Sequence, residues 1–246
     1  MGGENIIHMP KYKRILLKIS GEALKGKEDI YDKEYLESIY KIVQEIVSAG
    51  TEVCLVVGGG NIWRGREAEN LGIEKTTGDY RGRMATIRNA RCLQSFFENH
   101  GLVTRVRTSI PVAQCGEPYI RRRALRHLEK KRVVIFAGGI GSPFFTTDTC
   151  AALRAKERNC DGIFMGKNGV EGVYDDDPRK NKNAKLIKKI TYSELLADNL
   201  KVRDNTAVGL LVDSSVDVRV FNRNDPENAV RVLNGEDIGT VVTNKK

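Results

Sequence analysis

A three-layer αβα sandwich around a mainly parallel β-sheet is the fold class this 246-residue chain predicts. Two observations carry that expectation. Short aliphatic runs alternate with longer stretches of helical periodicity, and several of the runs end in glycine-rich turns. Parallel strands need crossover helices that cover both faces of the sheet, so they read as continuous apolar runs such as Val133-Val-Ile-Phe-Ala137.

The elements follow in order. Strand 14–19 carries Lys18 and ends in Ser20-Gly21. A helix over 33–49 has Leu36, Ile39, Tyr40, Val43, Ile46 and Val47 at helical spacing, with Gly50 closing it. Strand 52–57 runs into Gly58-Gly-Gly-Asn-Ile-Trp-Arg-Gly65. A helix over 79–99, a strand over 103–107, a helix over 119–129 and a strand over 132–137 complete a first half. Residues 138–149, Gly-Gly-Ile-Gly-Ser-Pro-Phe-Phe-Thr-Thr-Asp-Thr, lead into a helix over 147–158 capped by Thr147 or Asp148, and a strand over 162–165 follows.

Residues 169–174 alternate as a hairpin does, and 175–181, Asp-Asp-Asp-Pro-Arg-Lys-Asn, form a polar turn. Thr191 and Glu194 are spaced as a capping box. A strand over 216–221, a helix over 226–233 and a strand over 239–242 end the chain. With no repeat, low-complexity tract or long linker, one domain over 1–246 is expected. Residues 1–12 form a loose leader, and the two halves are 13–160 and 161–242.

Composition narrows the function classes. Apolar residues make up 40% and charged residues 30%, which suits a globular chain with an ample core. No run approaches the ~20 apolar residues of a membrane span, and residues 1–13 lack the apolar core of a secretory signal. The five cysteines, Cys54, Cys92, Cys115, Cys150 and Cys160, are odd in number and form no CxxC pair. They read as free thiols in a reducing cytoplasm rather than as zinc ligands or disulfides. Of the three histidines, His100 beside Gly101 reads as a helix C-terminal cap.

The net charge of +9 is unevenly placed: residues 81–132 carry 13 Lys and Arg against 3 Asp and Glu. Such a segment is the footprint of phosphate-rich partners, but charge runs more often form a solvated helix face, so a nucleic-acid partner is not expected.

The chemistry sits in three turns. Glycines admit backbone N–H groups close to a ligand, and a helix N-terminus favours an anion. In 138–149 they are joined by the hydroxyls of Thr146, Thr147 and Thr149, the makings of a phosphate cradle. Alone, that segment would serve a plain strand-to-helix turn equally well. The turns after 14–19 and 52–57 repeat the pattern with Lys18 and Arg64, and in parallel sheets such turns converge outside the strands' carboxyl ends. None matches G-x-x-x-x-G-K-[ST] or a helix-opening G-x-G-x-x-G, which disfavours a P-loop kinase and a Rossmann dehydrogenase.

Taken in order, Lys18-Ile-Ser-Gly-Glu-Ala23, Gly58-Gly-Gly-Asn-Ile-Trp-Arg-Gly65, Gly78-Asp-Tyr80 and Gly141-Ser-Pro-Phe-Phe-Thr-Thr-Asp148 form a recognisable set. With Gly172-Val-Tyr-Asp-Asp-Asp-Pro178, Leu200-Lys-Val-Arg-Asp204 and Arg219-Val-Phe-Asn222, the chain resembles the bacterial uridylate kinase branch of the amino acid kinase family from about residue 13 to 242. The resemblance implies that family's fold and phosphoryl transfer from ATP, with Mg²⁺, to UMP.

It also implies roles. Lys18, Arg64, Asp148 and Asp204 would be catalytic, with Lys18 on the transferring phosphate and the carboxylates orienting it. Lys18, Ile19, Ser20, Gly21, Gly60, Arg64, Asn168, Tyr174 and Asp177 would bind ATP, Tyr174 against the base. Gly59, Asp79, Ile140, Gly141, Ser142, Pro143, Phe144, Phe145, Thr146 and Thr147 would bind UMP, and no protein metal ligand is implied. The plain alternatives are hairpin packing for Tyr174 and a helix cap for Asp148.

By resemblance the protein would be a homohexamer activated by GTP and inhibited by UTP. It departs from the family at Arg81, Arg83, Arg88 and Arg91, at Ile140 where a threonine is usual, and at Arg203 where a methionine is usual. The four arginines are expected to alter assembly or effector response, or to meet anions. Two rival readings are a family member acting on a carboxylate or carbamate, and a nucleotide-sensing or nucleic-acid-binding regulator.

Overall fold

The computed structural model describes residues 11–197 and 204–245. The first half comprises β1 (Arg14–Ile19), a 3-10 turn (Gly21–Leu24), α1 (Lys33–Ser48), β2 (Glu52–Val57), α2 (Gly65–Asn70), α3 (Lys75–Asn99), β3 (Thr104–Thr108), β4 (Glu117–Pro118), α4 (Arg121–Glu129) and β5 (Val133–Ala137). The second comprises α5 (Thr147–Glu157), β6 (Gly162–Lys167), β7 (Val173–Tyr174), β8 (Leu186–Ile187), β9 (Lys189–Ile190), α6 (Tyr192–Ala197), α7 (Asn205–Leu211), β10 (Asp217–Asn222), α8 (Asn228–Leu233) and β11 (Thr240–Val242).

Nine strands form one sheet in the order β4-β3-β5-β2-β1-β6-β10-β11-β9. Its pairings are parallel except for β10 with β11. The αβα class is as the sequence predicts.

Strand alternation sorts the core into two layers. Ile15, Leu17 and Ile19 of β1 join α1, α3 and α8 on one face, while Leu16 joins α4, α5, α6 and α7 on the other. Lys18 follows Leu16 by two positions and so projects toward α5, at whose start Asp148 lies. Burying a leucine such as Leu16, Leu17 or Leu55 contributes roughly 1.5–3 kcal/mol, so β1 and β2 form a rigid base for the turns above them.

Four expectations are corrected. Helix α3 begins at Lys75, not at 79, so Asp79 lies in its second turn. Its start has no side-chain cap; Gly78 packs bare against the Ala68 side chain of α2, and Gly78 O accepts from Trp63 Nε1 at 2.8 Å. Residues 169–174 do not form their own hairpin: Val173 and Tyr174 pair across a long loop with Ile187 and Leu186. Thr240 pins that ribbon, its Oγ1 accepting from Val173 N at 2.8 Å and donating to Ile187 O at 2.6 Å. The cap of α5 is Thr146, which accepts from the N–H groups of Asp148 and Thr149.

The basic segment, finally, is not a single solvated helix face. Helix α3 covers one face of the sheet and α4 the other, while Arg83 and Arg107 are buried. Arg81, Arg88 and Arg91 lie on the exposed face of α3.

The other local readings hold where they fall on described residues. Glu194 Oε2 accepts from Thr191 N and Oγ1, as the capping box requires. His100 caps α3, with Nδ1 2.7 Å from Phe96 O. All five cysteines are free, and Cys54, Cys150 and Cys160 are buried. No described helix is long and apolar enough to cross a membrane. Residues 1–10 of the expected leader, and Leu200 to Arg203 of the motif before Asp204, lie outside the described residues.

Candidate active site

Strands β5, β2 and β1 are neighbours, so their carboxyl-terminal turns meet. The turn after β1 lies against the one after β2: a Cβ on Gly21 would sit 2.4 Å from Gly60 N and 2.6 Å from Gly58 O. Only glycine allows two backbones to approach this closely. Gly59 presses the same turn on α3, with its absent Cβ 2.8 Å from Ala85 Cβ. Asn89, fully buried on α3, locks it by donating from Nδ2 to Gly58 O at 2.7 Å and exchanging amide hydrogen bonds with Asn61. Sequence reasoning missed Asn89; its signal is an amide at a core-facing position between Ile87 and Ala90.

The turn after β5 is held on two sides. Gly138 N donates to Thr86 Oγ1 at 2.9 Å, and Ser109 Oγ donates to Gly139 O at 2.7 Å. Ser109 Oγ in turn accepts from Arg154 Nη2 at 3.0 Å. Arg154, itself buried, stacks over Tyr119 at 3.8 Å, and Glu157 accepts from both. Gly138, Gly139 and Gly141 have φ of 78°, 61° and 94°, and Phe144, exposed, has φ 68°. A phenylalanine in that region is strained, and Asp79 Oδ2 holds it by accepting from Phe144 N at 2.7 Å. Asp79 and the 142–145 loop are thereby brought together.

Lys18 Nζ stands 2.8 Å from Asp148 Oδ1, with the lysine 20% and the aspartate 33% exposed. The two form an ion pair without hydrogen-bond alignment, at the junction of the three turns. Asp204 is placed differently. Buried at the start of α7, its Oδ2 accepts from the hydroxyls of Thr146 and Thr149 and its Oδ1 from Ala207 N. Burial alone would raise this carboxyl, but the hydrogen bonds from Thr146, Thr149, Ala207 and Thr206 outweigh it and hold the group below its ordinary range.

A pH dependence follows from that direction. With its folded-state pKa depressed, Asp204 contributes stability that is present above its unfolded value and lost as pH falls through the folded one. Urea titrations of Asp204→Asn from pH 7 to pH 3 are expected to lose less stability on acidification than wild type below about pH 4. Parallel profiles for the two proteins would refute this.

Arg64 is half exposed and turned to its own neighbourhood, 3.3 Å from Glu22 and donating from Nε to Gly60 O at 3.2 Å. Asn168, Tyr174 and Asp177 lie beyond β6, the other neighbour of β1, on the β6–β7 loop and the β7 ribbon. There Arg179 ties Asn168 O to Asp177 Oδ1. A small cleft opens between the ends of β1, β6 and β10, lined by Lys18, Ser20, Tyr35, Gly166 and Arg223. Sequence reasoning also missed Arg223. Cys150, on the buried face of α5, is disfavoured as a thiolate: burial pushes its thiol up to about 11.

A lysine–aspartate pair thus stands where three glycine turns meet at one end of a parallel sheet, and none of the turns is a P-loop. A profile of the amino acid kinase family matches residues 13–222, and the chain belongs to that family. Among its relatives, the uridylate kinases of two Streptococcus thermophilus strains are each 49% identical over 237 residues, 96% of this chain and 97% of theirs. Its backbone is similar to UMP kinase from Bacillus anthracis (TM-score 0.92, 40% identity, 96% of this chain and 97% of that one). It is also similar to UMP kinase from Ureaplasma parvum (TM-score 0.89, 38% identity, 94% and 98%).

Proposed function

We propose that this protein is a uridylate kinase that transfers the γ-phosphoryl group of ATP to UMP, giving ADP and UDP. The observation that carries the reading is the Lys18–Asp148 pair at the meeting point of the three turns, in a chain 49% identical to uridylate kinases over nearly its full length. The half 13–160 takes the acceptor and 161–242 the ATP nucleoside.

A phosphate oxygen of UMP attacks the γ-phosphorus, and the bond to the β–γ bridging oxygen breaks with its electron pair leaving on ADP. Little covalent work falls to the protein, so catalysis rests on positioning and charge neutralisation. Lys18, oriented by Asp148, donates to the transferring oxygens. The N–H groups of Gly21, Gly59 and Gly60 line the path between donor and acceptor. Arg64 swings from the exposed Glu22 contact to phosphate, which a half-exposed guanidinium does at little cost. Asp204 keeps Thr146 and Thr149, and with them the start of α5, in place.

Among the described residues no trio of His, Cys, Asp or Glu is grouped to hold a metal. Mg²⁺ would be carried by the ATP phosphates with its waters, and the Asp148 carboxylate beside Lys18 is the chain's own oxygen ligand suited to it. When bound, the ion neutralises charge on the β- and γ-phosphates. The free thiols suit a reducing cytoplasm, and the resemblance suggests a homohexamer responsive to GTP and UTP.

The test is ADP release from Mg-ATP with UMP, CMP, AMP, GMP, glutamate, aspartate and carbamate. UMP-dependent turnover exceeding that with every carboxylate or carbamate is the expected result. Turnover with a carboxylate alone would overturn it in favour of another branch of the family.

A further inference from the structure

Arg83 stands out among the side chains the proposed mechanism does not use. It lies one helical turn beyond Asp79 on α3, is 6% exposed, and donates from Nη1 only to Asp79 O at 3.0 Å. Its Nε and Nη2 are buried without a hydrogen-bond partner. A Cβ on Gly139 would lie 3.8 Å from Nε and 4.0 Å from Cζ, so the guanidinium borders the glycine turn at ordinary contact distance. The ring of Tyr80 is 5.9 Å away, and no carboxylate forms an ion pair with it among the described residues.

A buried cation with two idle donors is costly unless a partner arrives. Surface arginines 81, 88 and 91 on the same helix incur no such cost. The place of Arg83, between Asp79 and the Gly138–Gly141 turn, indicates which partner. Resting on the assignment of that turn and Asp79 to the acceptor, we propose that Arg83 is an additional acceptor-specificity residue whose Nε/Nη2 edge donates to the 4-carbonyl oxygen of uracil, the one that cytosine replaces.

A guanidinium carries donors only. Uracil offers two carbonyl oxygens, whereas cytosine replaces one with an exocyclic amine that is itself a donor. A donor facing that amine leaves both groups unpaired in a dry site, so Arg83 selects UMP over CMP. Glycine at 139 fits this role, because any side chain there would stand between the guanidinium and the turn.

The test compares wild type, Arg83→Met, Arg83→Lys and Asp79→Asn in UMP and CMP binding by calorimetry and in kcat/KM for both acceptors. Methionine fills the space of the arginine stem without a donor. Arg83→Met is expected to weaken UMP about tenfold, about 1.4 kcal/mol, and to leave CMP within about twofold. Its melting temperature should equal or exceed that of wild type, since an unpaired buried charge is removed.

Equal losses for UMP and CMP would overturn the proposal by showing a merely structural role, and so would unchanged UMP affinity. Arg83→Lys keeps the charge but not the fork; it should lose most of the discrimination, and retaining all of it would likewise overturn the proposal. It also settles the matter if the methionine variant does not fold. Asp79→Asn separates the two layers of inference. If it weakens both acceptors while Arg83→Met changes nothing, only the role of Arg83 fails; if it weakens neither, the acceptor assignment itself fails.

Discussion

Lys18→Ala is expected to lower kcat with UMP by about 10²–10³-fold while leaving the fold intact, the scale seen when one preorganised transition-state donor is removed. The lysine is the only cation that β1 projects into the junction, and period-2 alternation fixes it on the α5 side, facing Asp148. In the proposed role its amine would stabilise negative charge that grows on the transferring oxygens, so the loss is expected to fall on kcat more than on KM. Some stability should be lost as well, because the pair is only 20% and 33% exposed and removing the lysine leaves the buried Oδ1 of Asp148 without its counter-charge.

Asp148→Asn should cost less, and the double variant no more than Lys18→Ala alone, if the carboxylate acts through the lysine it pairs with. Steady-state kinetics with circular dichroism checks all three. A Lys18→Ala enzyme within threefold of wild type would remove Lys18 from the mechanism.

Gly21→Ala should abolish activity and destabilise the protein together. The added methyl would sit 2.4 Å from Gly60 N and 2.6 Å from Gly58 O, and both obstacles are backbone that no rotamer change can move. The turns after β1 and β2 must therefore separate. The separation strains the Gly58 contact with Ile19 O and the lock from Asn89. Overpacking of this kind costs about 1–3 kcal/mol, and widening the gap between the two turns by ~1 Å is expected to cost ~10²-fold in rate. Urea denaturation and turnover of the same preparation measure both. Gly50→Ala is the control, since a methyl there meets no atom within 4 Å and only its φ of 90° is affected; it should lose some stability and keep its activity. A fully active Gly21→Ala protein would mean that the two turns are not a rigid unit.

Most of the candidate site's geometry was legible in the chain, for a local reason. Lys18, the glycine triplet and the 138–149 turn each sit within a few residues of an apolar strand, so strand direction alone brings them to one end of the sheet. What stayed hidden depends on contacts between distant segments. The cap of α5 was placed one or two residues late because Thr146, Thr147 and Asp148 are all good caps. Asp204, 58 residues from Thr146, draws that threonine's hydroxyl inward. The start of α3 was missed because Lys75-Thr-Thr-Gly is a weak helix opening, and the bare face of Gly78 against α2 compensates. The 169–174 segment alternates as a hairpin does, yet its partner strand is set by Thr240 on β11.

Periodicity, strand composition and turn chemistry are properties of neighbouring residues, and by themselves they determined the αβα class and the three glycine turns at one end of the sheet. Burial and charge pairing are properties of the packed whole. Only the tertiary structure could therefore decide that Arg83 is enclosed beside Gly139 while Arg81, Arg88 and Arg91 face outward on the same helix. It alone could divide one basic stretch of sequence between two faces of a sheet: a helix has only one side to turn inward, and which side that is depends on what it packs against.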